Sequence, residues 1–298
     1  MTRGRATAIG FSAVLMWGML ALLTIASAPV PPLQMNAICF GIGGAIGRVW
    51  TGMGRGFGVL RHVPWRVYAI GTLGLFGANS LYFTAMRLAP MAETGLIGYL
   101  WPLFIVLFSG LLPGERLGRL HILGALLAFA GAASIVLRGG ASLPAGALPG
   151  FAVAFAFALT WAGYSVGSRL LGKVPTEAVT VYFLAGAVLS MIAHMALETT
   201  AWPDTAYGWT SLALLGAGPV GASFFAWDIG MKHGDIQILG VASYAAPLLS
   251  TLALILAGRA QATPVLLLAA VMITGGAVLA ARASLGTVRP AAGAKSLP

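Results

Sequence analysis

Apolar runs of about 20 residues alternate with short polar joints along most of the chain. A helix needs roughly 20 apolar residues to cross the hydrocarbon core of a bilayer, and ten runs reach that length. A helix also satisfies its own backbone hydrogen bonds, which lipid cannot do. The pattern therefore predicts an all-α polytopic membrane protein with ten transmembrane helices. The predicted spans are residues 8–27, 34–53, 67–87, 92–112, 119–138, 148–169, 178–198, 209–230, 236–258 and 263–282.

The composition agrees with a membrane protein and argues against a soluble one. Of the 298 residues, 59% are hydrophobic and only 8% are charged, and the mean hydropathy is +0.91. A soluble domain carries roughly 25% charged residues, so this chain has too few to coat a surface that faces water. Its one cysteine, Cys39, lies in an apolar run and cannot form an intrachain disulfide.

Lys and Arg outnumber Asp and Glu by 17 to 7, and their placement predicts the orientation of the chain. They are spread over the joints between spans, which argues against a single nucleic-acid-binding patch. With ten spans and the N-terminus inside, fourteen of the 17 basic residues are cytoplasmic, and only Arg87, Arg138 and Arg259 are outside. Cytoplasmic loops are enriched in Lys and Arg. Both termini are therefore predicted to be cytoplasmic.

The second half of the chain repeats features of the first half. "GYLWP" (98–102) and "SYAAP" (243–247) share Tyr-x-x-Pro at an offset of 145. The predicted units are two repeats, 1–143 and 144–285, and a disordered cytoplasmic tail, 286–298. Five spans in each repeat would invert the second repeat relative to the first, as in secondary transporters that bind substrate between the halves. Further pairs are Arg87 and Lys232, Gly95 and Gly240, Gly131 and Gly276, Ala132 and Ala277, and, at an offset of 144, Trp17 and Trp161.

The repeated prolines lie inside predicted helices, where each removes one backbone hydrogen bond. Pro102 is expected to free the carbonyl of Gly98, and Pro247 that of Ser243. A free carbonyl at membrane depth is tolerated where protein or a watery cavity receives it. The sequence supports two interpretations equally: the prolines are hinges beside a shared cavity, or they are static kinks that neighbouring helices satisfy.

A series of segments spread over nearly the whole chain carries a family resemblance. They are "MTRGRAT" with Trp17, "GYLWP", "WAGY" (161–164), "AWDIGMKHGD" (226–235) and "VASYAAPLLS" (241–250). Together they resemble the drug/metabolite transporter (DMT/EamA) superfamily and, within it, the YddG-type bacterial aromatic amino acid exporters.

The resemblance implies a fold, a location and a substrate class. It implies ten helices in two inverted five-helix repeats, located in the bacterial inner membrane. It implies export of aromatic and other neutral amino acids: tryptophan, phenylalanine, tyrosine, and also methionine and threonine. No cofactor is expected, and a monomer is expected to be the functional unit.

Aromatic residues in the helices that the resemblance places around a cavity are the candidates for binding substrate. Tyr and Trp combine an apolar ring with a hydrogen-bonding group, and their π-faces attract ammonium groups. Asn79 and Ser243, at membrane depth, are candidates for hydrogen bonding to substrate; interhelical bonding is the alternative for Asn79. The aromatic candidates are Trp17, Tyr82, Tyr99, Trp101, Trp161, Tyr164, Trp227 and Tyr244.

The carboxylate of Asp228 lies within a predicted span, which makes it a functional candidate. Lys232 follows four residues later, in the order that favours an ion pair on a helix. Both lie near the predicted cytoplasmic end. The interpretation is a helix-end ion pair that acts as a gate, with a proton site as the alternative.

Several classes of function lose support from the sequence. No Lys or Arg lies at the centre of a predicted span to bind a phosphate, and no Walker-A loop is present. The four histidines and Cys39 lack metal-site spacing. The expectation is therefore a transporter and not an enzyme, without a metal. Two alternatives stay open: an exporter of hydrophobic cations or drugs, held by the same aromatic groups, and a non-transporting sensor or scaffold.

Overall fold

The computed structural model describes residues 1–137, 144, 146–171 and 173–287, and these contain helices and no strand. Pro32 opens one helix at its first position, where the missing N–H costs no hydrogen bond. Asp235 caps another by accepting a hydrogen bond from the N–H of Ile238 at 3.0 Å. The α-helices are α1 Arg3–Trp17, α2 Leu20–Ala26, α3 Pro32–Met53, α4 Trp65–Leu88, α5 Met91–Gly98, α6 Trp101–Ser109, α7 Arg119–Val136, α8 Leu148–Leu170, α9 Ala178–Leu197, α10 Ala206–Ala217, α11 Ser223–His233, α12 Ile236–Ala242, α13 Ala245–Leu256 and α14 Pro264–Thr287.

Seven helical segments in the described part of the chain are long and apolar enough to cross a membrane. They coincide with the first predicted span and with the fifth to the tenth. The second and third predicted spans are α3 and α4, whose polar residues and glycines lower their hydropathy, and the fourth has a shorter apolar part, Glu93–Ser109. The seven segments are Arg3–Ala26, Arg119–Val136, Leu148–Leu170, Ala178–Leu197, Ala206–His233, Ile236–Leu256 and Pro264–Ser284.

Both Tyr-x-x-Pro segments interrupt a helix. The first interruption, residues 99–100, separates α5 from α6, and the second, residues 243–244, separates α12 from α13. Pro102 and Pro247 therefore lie in the first turn of a new helix, where a missing N–H is tolerated. The interruptions fall at nearly equivalent positions of the repeat.

The carbonyl of Ser243 is not free, so that expectation is wrong. The N–H of Ala246 donates to it at 3.0 Å. This bond to the third residue along replaces the bond that Pro247 removes. The backbone closes the interruption by itself in this conformation, and the hinge interpretation of the two prolines stays a prediction.

Two further irregularities have no signal in the hydropathy pattern. α1 ends at Trp17, and α2 begins three residues later. A π-helical turn, Gly218–Ala222, joins α10 to α11. Such turns are rare and occur frequently at functional sites. Both irregularities border the cavity described below.

The helices pack in pairs that are unchanged when the two halves are exchanged. The most extensive contacts join α7 to α14, α3 to α9, α4 to α8, and α1 to α11. In terms of predicted spans, these pairs are fifth with tenth, second with seventh, third with sixth, and first with eighth. Exchange of the halves maps the first two pairs onto themselves and interchanges the other two. A twofold relation between the halves would give the same set of pairs.

Glycines bring the backbones of paired helices into contact. A Cβ added to Gly124 of α7 would lie 2.5 Å from the carbonyl oxygen of Gly276 in α14, and one added to Gly276 would meet the Gly124 oxygen as closely. Between α1 and α11, a Cβ on Gly10 would lie 2.8 Å from the Cα of Gly230. Small residues at helix interfaces allow this close approach.

We expect Gly276→Ala to destabilise the protein by about 1–3 kcal/mol, because the new methyl group would push α7 and α14 apart. The measurement is the thermal unfolding midpoint in detergent. Gly275→Ala is the matched control, since its Cβ would meet only Leu127, at an ordinary 3.6 Å. Equal midpoints for the two variants would contradict the prediction.

Candidate functional site

Four tryptophans meet at the centre of the bundle. Trp17 ends α1 and Trp101 begins α6, while Trp161 and Trp227 lie within α8 and α11. The ring centroid of Trp17 is 5.0 Å from that of Trp227, 5.9 Å from that of Trp101 and 6.2 Å from that of Trp161. These pairs are tilted or edge-to-face, as aromatic pairs prefer. Trp17 and Trp161, which match in the repeat, thus contact each other. The four are termed the tryptophan cluster.

A cavity of about 470 Å³ lies against the tryptophan cluster and is termed the central cavity. Its wall comes from α2, the beginning of α3, the end of α4, α5 and the π-helical turn, so it extends into the half of the bundle away from Arg3. Most of the wall is apolar or aromatic. None of the described residues that line it is Asp, Glu, Lys or Arg.

Six of the ten predicted binding residues line the central cavity. Among them, Asn79 donates its amide N–H to the carbonyl of Leu75 at 2.9 Å, on its own helix, and not to a neighbouring helix. The amide therefore remains at the cavity wall as a polar group. The six residues are Trp17, Asn79, Tyr82, Tyr99, Trp101 and Trp161.

Trp227 supports the cavity from behind. Its side chain is buried, and its indole Nε1–H donates to the hydroxyl of Ser165 at 3.1 Å. This hydrogen bond fixes the ring against Trp17. Trp227 therefore positions the tryptophan cluster in this conformation and does not line the central cavity.

Ser243 and Tyr244 line neither the central cavity nor the second cavity described below. The Ser243 hydroxyl donates to the carbonyl of Leu239 at 2.7 Å and is fully buried. Tyr244 packs against Phe129 of α7, with ring centroids 5.9 Å apart. Their contact with substrate stays a prediction, and it would require another conformation.

The sequence analysis missed Phe224 and Asn36, which also line the central cavity. Phe224 contacts Trp161, with centroids 5.4 Å apart. The repeat contained a signal for it, since Phe224 is the equivalent of Asn79 at an offset of 145. Asn36 donates to the hydroxyl of Ser190 at 2.8 Å, and no sequence signal distinguishes it from an interhelical contact.

A second cavity, of about 190 Å³, lies on the other side of the tryptophan cluster, toward Arg3. It is termed the inner cavity, and Tyr164, the remaining predicted residue, lines it. Asp228 and Lys232 line it too, and the expected ion pair forms with Nζ to Oδ2 at 2.7 Å. Thr176 donates to the same Oδ2 at 2.6 Å, and Lys232 donates to the carbonyl of Val174 at 2.9 Å.

Ion pairs connect the helices at the end of the bundle that carries the N-terminus. Arg3 lies 3.1 Å from both Glu115 and Asp235. Glu115 also pairs with Arg169, whose guanidinium donates to three carbonyls near the end of α11, including that of Gly234. These contacts tie α1, α8 and α11 together and close this end.

A single carboxylate organises the opposite end. Glu198 accepts hydrogen bonds from the backbone N–H groups of Leu33 and Gln34 at 3.0 and 3.2 Å. It also pairs with Arg87 and with His194. Acidic groups favour helix N-termini, so Glu198 fastens the beginning of α3 to the end of α9.

The match to a protein family agrees with the two related halves of the chain. The EamA-like transporter family matches residues 5–137 and, a second time, residues 148–282. The chain belongs to the EamA-like transporter family. The resemblance drawn from the sequence is confirmed, and the family indicates a transporter rather than an enzyme.

Named relatives and a solved structure resemble this EamA-like transporter along most of its length. A relative from Ancylobacter novellus named aromatic amino acid exporter YddG is 49% identical over 286 residues, which is 94% of this chain and 98% of the relative. A relative of the same name from Escherichia coli is 27% identical over 267 residues, which is 84% of this chain and 88% of the relative. A crystal structure matches with a TM-score of 0.91 at 46% identity, covering 97% of this chain and 100% of the other.

We expect a cysteine at position 79 to react with a small thiosulfonate at least about tenfold faster than one at position 243, because thiol reactivity follows exposure. The test compares Asn79→Cys with Ser243→Cys in a Cys39→Ser background, in detergent, since Cys39 itself lines the central cavity. Labelling after denaturation is the control for the presence of both thiols. Equal rates in the folded protein would contradict the placement of the two residues.

Proposed function

We propose that this EamA-like transporter exports aromatic and other neutral amino acids across the bacterial inner membrane by alternating access. The observation that carries the proposal is the central cavity, whose described lining residues include tryptophan and tyrosine rings and none with a charged side chain. The names of the relatives support the same substrate class. No cofactor is needed for this function.

The chemistry of the central cavity suits a zwitterion with an aromatic side chain. The indole and phenol rings offer apolar faces to the side chain and attract the ammonium group. Asn79 and the tyrosine hydroxyls offer hydrogen bonds to the carboxylate. Because no full charge pairs with the substrate here, binding is expected to be weak, roughly millimolar or about −4 kcal/mol. Weak binding allows release at the outer face.

The packing supports ten transmembrane helices in two inverted repeats. The helices α3 and α4, and α5 together with α6, would supply the three spans beyond the seven apolar segments. The pairing of helices is unchanged by exchange of the halves, and the family matches each half once. Five spans per half then make the second half inverted. We place both termini in the cytoplasm on the distribution of Lys and Arg.

The closed and open ends of the bundle support alternating access. The end with Arg3, Glu115 and Arg169 is tied by ion pairs, while the central cavity extends toward the other end. With cytoplasmic termini, this conformation faces outward. The interrupted helices at Tyr99 and Tyr244 are the positions where the bundle would bend to face inward.

Export of hydrophobic cations is the second candidate, because the tryptophan cluster could enclose a quaternary ammonium group. A cation without a carboxylate would enter the central cavity as a net charge. None of the described residues lining that cavity supplies a counter-charge. A zwitterion therefore fits it better.

The test is counterflow of labelled L-phenylalanine into proteoliposomes preloaded with the unlabelled amino acid. We expect wild-type protein to accumulate label, and Trp101→Leu to reduce the rate about tenfold, the effect of losing ~1.4 kcal/mol of aromatic contact. Trp65→Leu is the matched control, since Trp65 is 73% exposed and lies outside both cavities. Competition by L-tryptophan and by tetraphenylphosphonium compares the two candidate substrate classes.

Absence of counterflow with phenylalanine, tryptophan and methionine would refute amino acid export. Strong inhibition by the cation together with none by tryptophan would favour the second candidate. An equal loss of rate in both tryptophan variants would remove the central cavity from the transport path.

A further inference from the structure

Under the repeat, the inner cavity in one half corresponds to the wide part of the central cavity in the other half. Five residues that line one cavity have equivalents that line the other, at the offsets that relate the two halves. Part of the described wall of each cavity thus comes from matching helix positions in opposite halves. The matching pairs are Leu20 with Tyr164 and Thr24 with Ser168 at 144, and Phe83 with Asp228, Leu215 with Ile70 and Pro219 with Gly74 at 145.

By this correspondence, the inner cavity is the narrow counterpart of the wide part of the central cavity. In an inverted repeat, the conformation that faces the other way exchanges the roles of the two halves. The inner cavity would then widen as the central cavity narrows at its outer part. Trp161 and Tyr164 separate the two spaces, with stacked rings 5.5 Å apart.

We propose that the inner cavity is an entry site for the zwitterionic head of an amino acid, in which Asp228 binds the ammonium group and Lys232 the carboxylate. The inference rests on the proposed function and adds a second site to the same path. The substrate class is the α-amino acid, recognised here by its head and not by its side chain.

The ion pair retains hydrogen-bonding capacity for such a ligand. Among the described residues, Thr176 and Lys232 both bond to Oδ2 of Asp228, so Oδ1 remains for an ammonium group. Lys232 gives one hydrogen to Asp228 and one to the carbonyl of Val174, and its ammonium group has three. A zwitterion inserted here keeps the net charge of the site at zero, which avoids burying an unpaired charge.

The size of the inner cavity fits the head of an amino acid. About 190 Å³ corresponds to the volume of roughly six waters, enough for an ammonium group, a Cα and a carboxylate but not for an indole as well. The side chain would point toward Trp161 and the central cavity. Gly163 and Gly167 leave this space open, since a Cβ on either would meet nothing within 4 Å.

The outer counterpart of the site lacks an Asp–Lys pair, because Arg87, the equivalent of Lys232, pairs with Glu198 and does not line the central cavity. Phe83 occupies the position equivalent to Asp228, and Leu20 the position equivalent to Tyr164. Binding of the zwitterionic head through an Asp–Lys pair is therefore a property of the cytoplasmic half alone. Substrate would bind by its head on entry and leave past apolar side chains.

The experiment measures the concentration of L-phenylalanine that half-saturates transport at each face, using inverted and right-side-out membrane vesicles. Asp228→Asn/Lys232→Gln removes both charges together and leaves no unpaired one. We expect it to raise the half-saturating concentration at the cytoplasmic face about tenfold, the loss expected for charged hydrogen bonds. It should also reduce discrimination between L-phenylalanine and phenethylamine, which lacks the carboxylate.

A second variant tests the space rather than the charges. Gly167→Leu is expected to fill the inner cavity and raise the same half-saturating concentration while the ion pair stays intact. Gly77→Leu is its control, because Gly77 also has nothing within 4 Å of its Cβ and lines neither cavity. If the double variant fails to fold, the comparison of Gly167→Leu with Gly77→Leu still tests the entry site.

A wild-type protein that transports phenylalanine, with both variants unchanged at the cytoplasmic face, would overturn the entry site and leave the proposed function standing. An equal rise at both faces in the double variant would assign the ion pair to structure alone and also overturn it. No transport by the wild type would overturn the proposed function itself.

Discussion

A backbone polar group inside a bilayer has no water to bond, and this constraint decides where the bundle departs from regular helix. The described spans are interrupted after Trp17, after Gly98, at the π-helical turn and after Ala242. Three of the interruptions place a residue at the wall of the central cavity, namely Trp17, Tyr99 and Pro219, while the fourth is buried against Phe129 of α7. Irregular backbone thus lies beside a cavity or inside packed protein. At these interruptions, aromatic residues at helix ends, such as Trp17 and Tyr99, line the central cavity together with residues on helix faces.

The lack of water also governs the placement of charge. Glu115 and Glu198 lie near opposite ends of the bundle, and both are paired. Asp228 lies deeper, with its side chain 4% exposed, and Lys232 and Thr176 both bond to it. Removing one partner of such a buried pair costs several kcal/mol. Between these sites, the described lining of the central cavity is uncharged, so a zwitterion crossing it meets dipoles and π-faces.

Hydropathy predicts the long helices α7, α8 and α9 well, because a span of regular helix needs only a sufficient run of apolar residues. It cannot predict the interruptions, since backbone geometry leaves hydropathy unchanged. Depth along a helix also does not tell which face a residue occupies. Trp227 and Ser243 lie within predicted spans, yet the indole of one bonds to Ser165 and the hydroxyl of the other bonds to the carbonyl of Leu239. The repeat adds information that residue type lacks, since it relates five positions of one cavity wall to five of the other.

The two halves agree at one pair of glycines in closely packed helices and differ at one pair of positions that line the cavities. Gly131 and Gly276 match in the repeat, and a Cβ on either would crowd the facing helix, at 3.0 Å from Met272 for Gly131. So close an approach leaves no room for a Cβ, which explains glycine at both of these positions. The equivalent positions 83 and 228 line the two cavities and are free of that limit, and there the halves carry Phe83 and Asp228. Under the proposed alternating access, shared packing would give the two conformations one architecture, while the unlike cavity walls would give the two faces different affinities for the same amino acid.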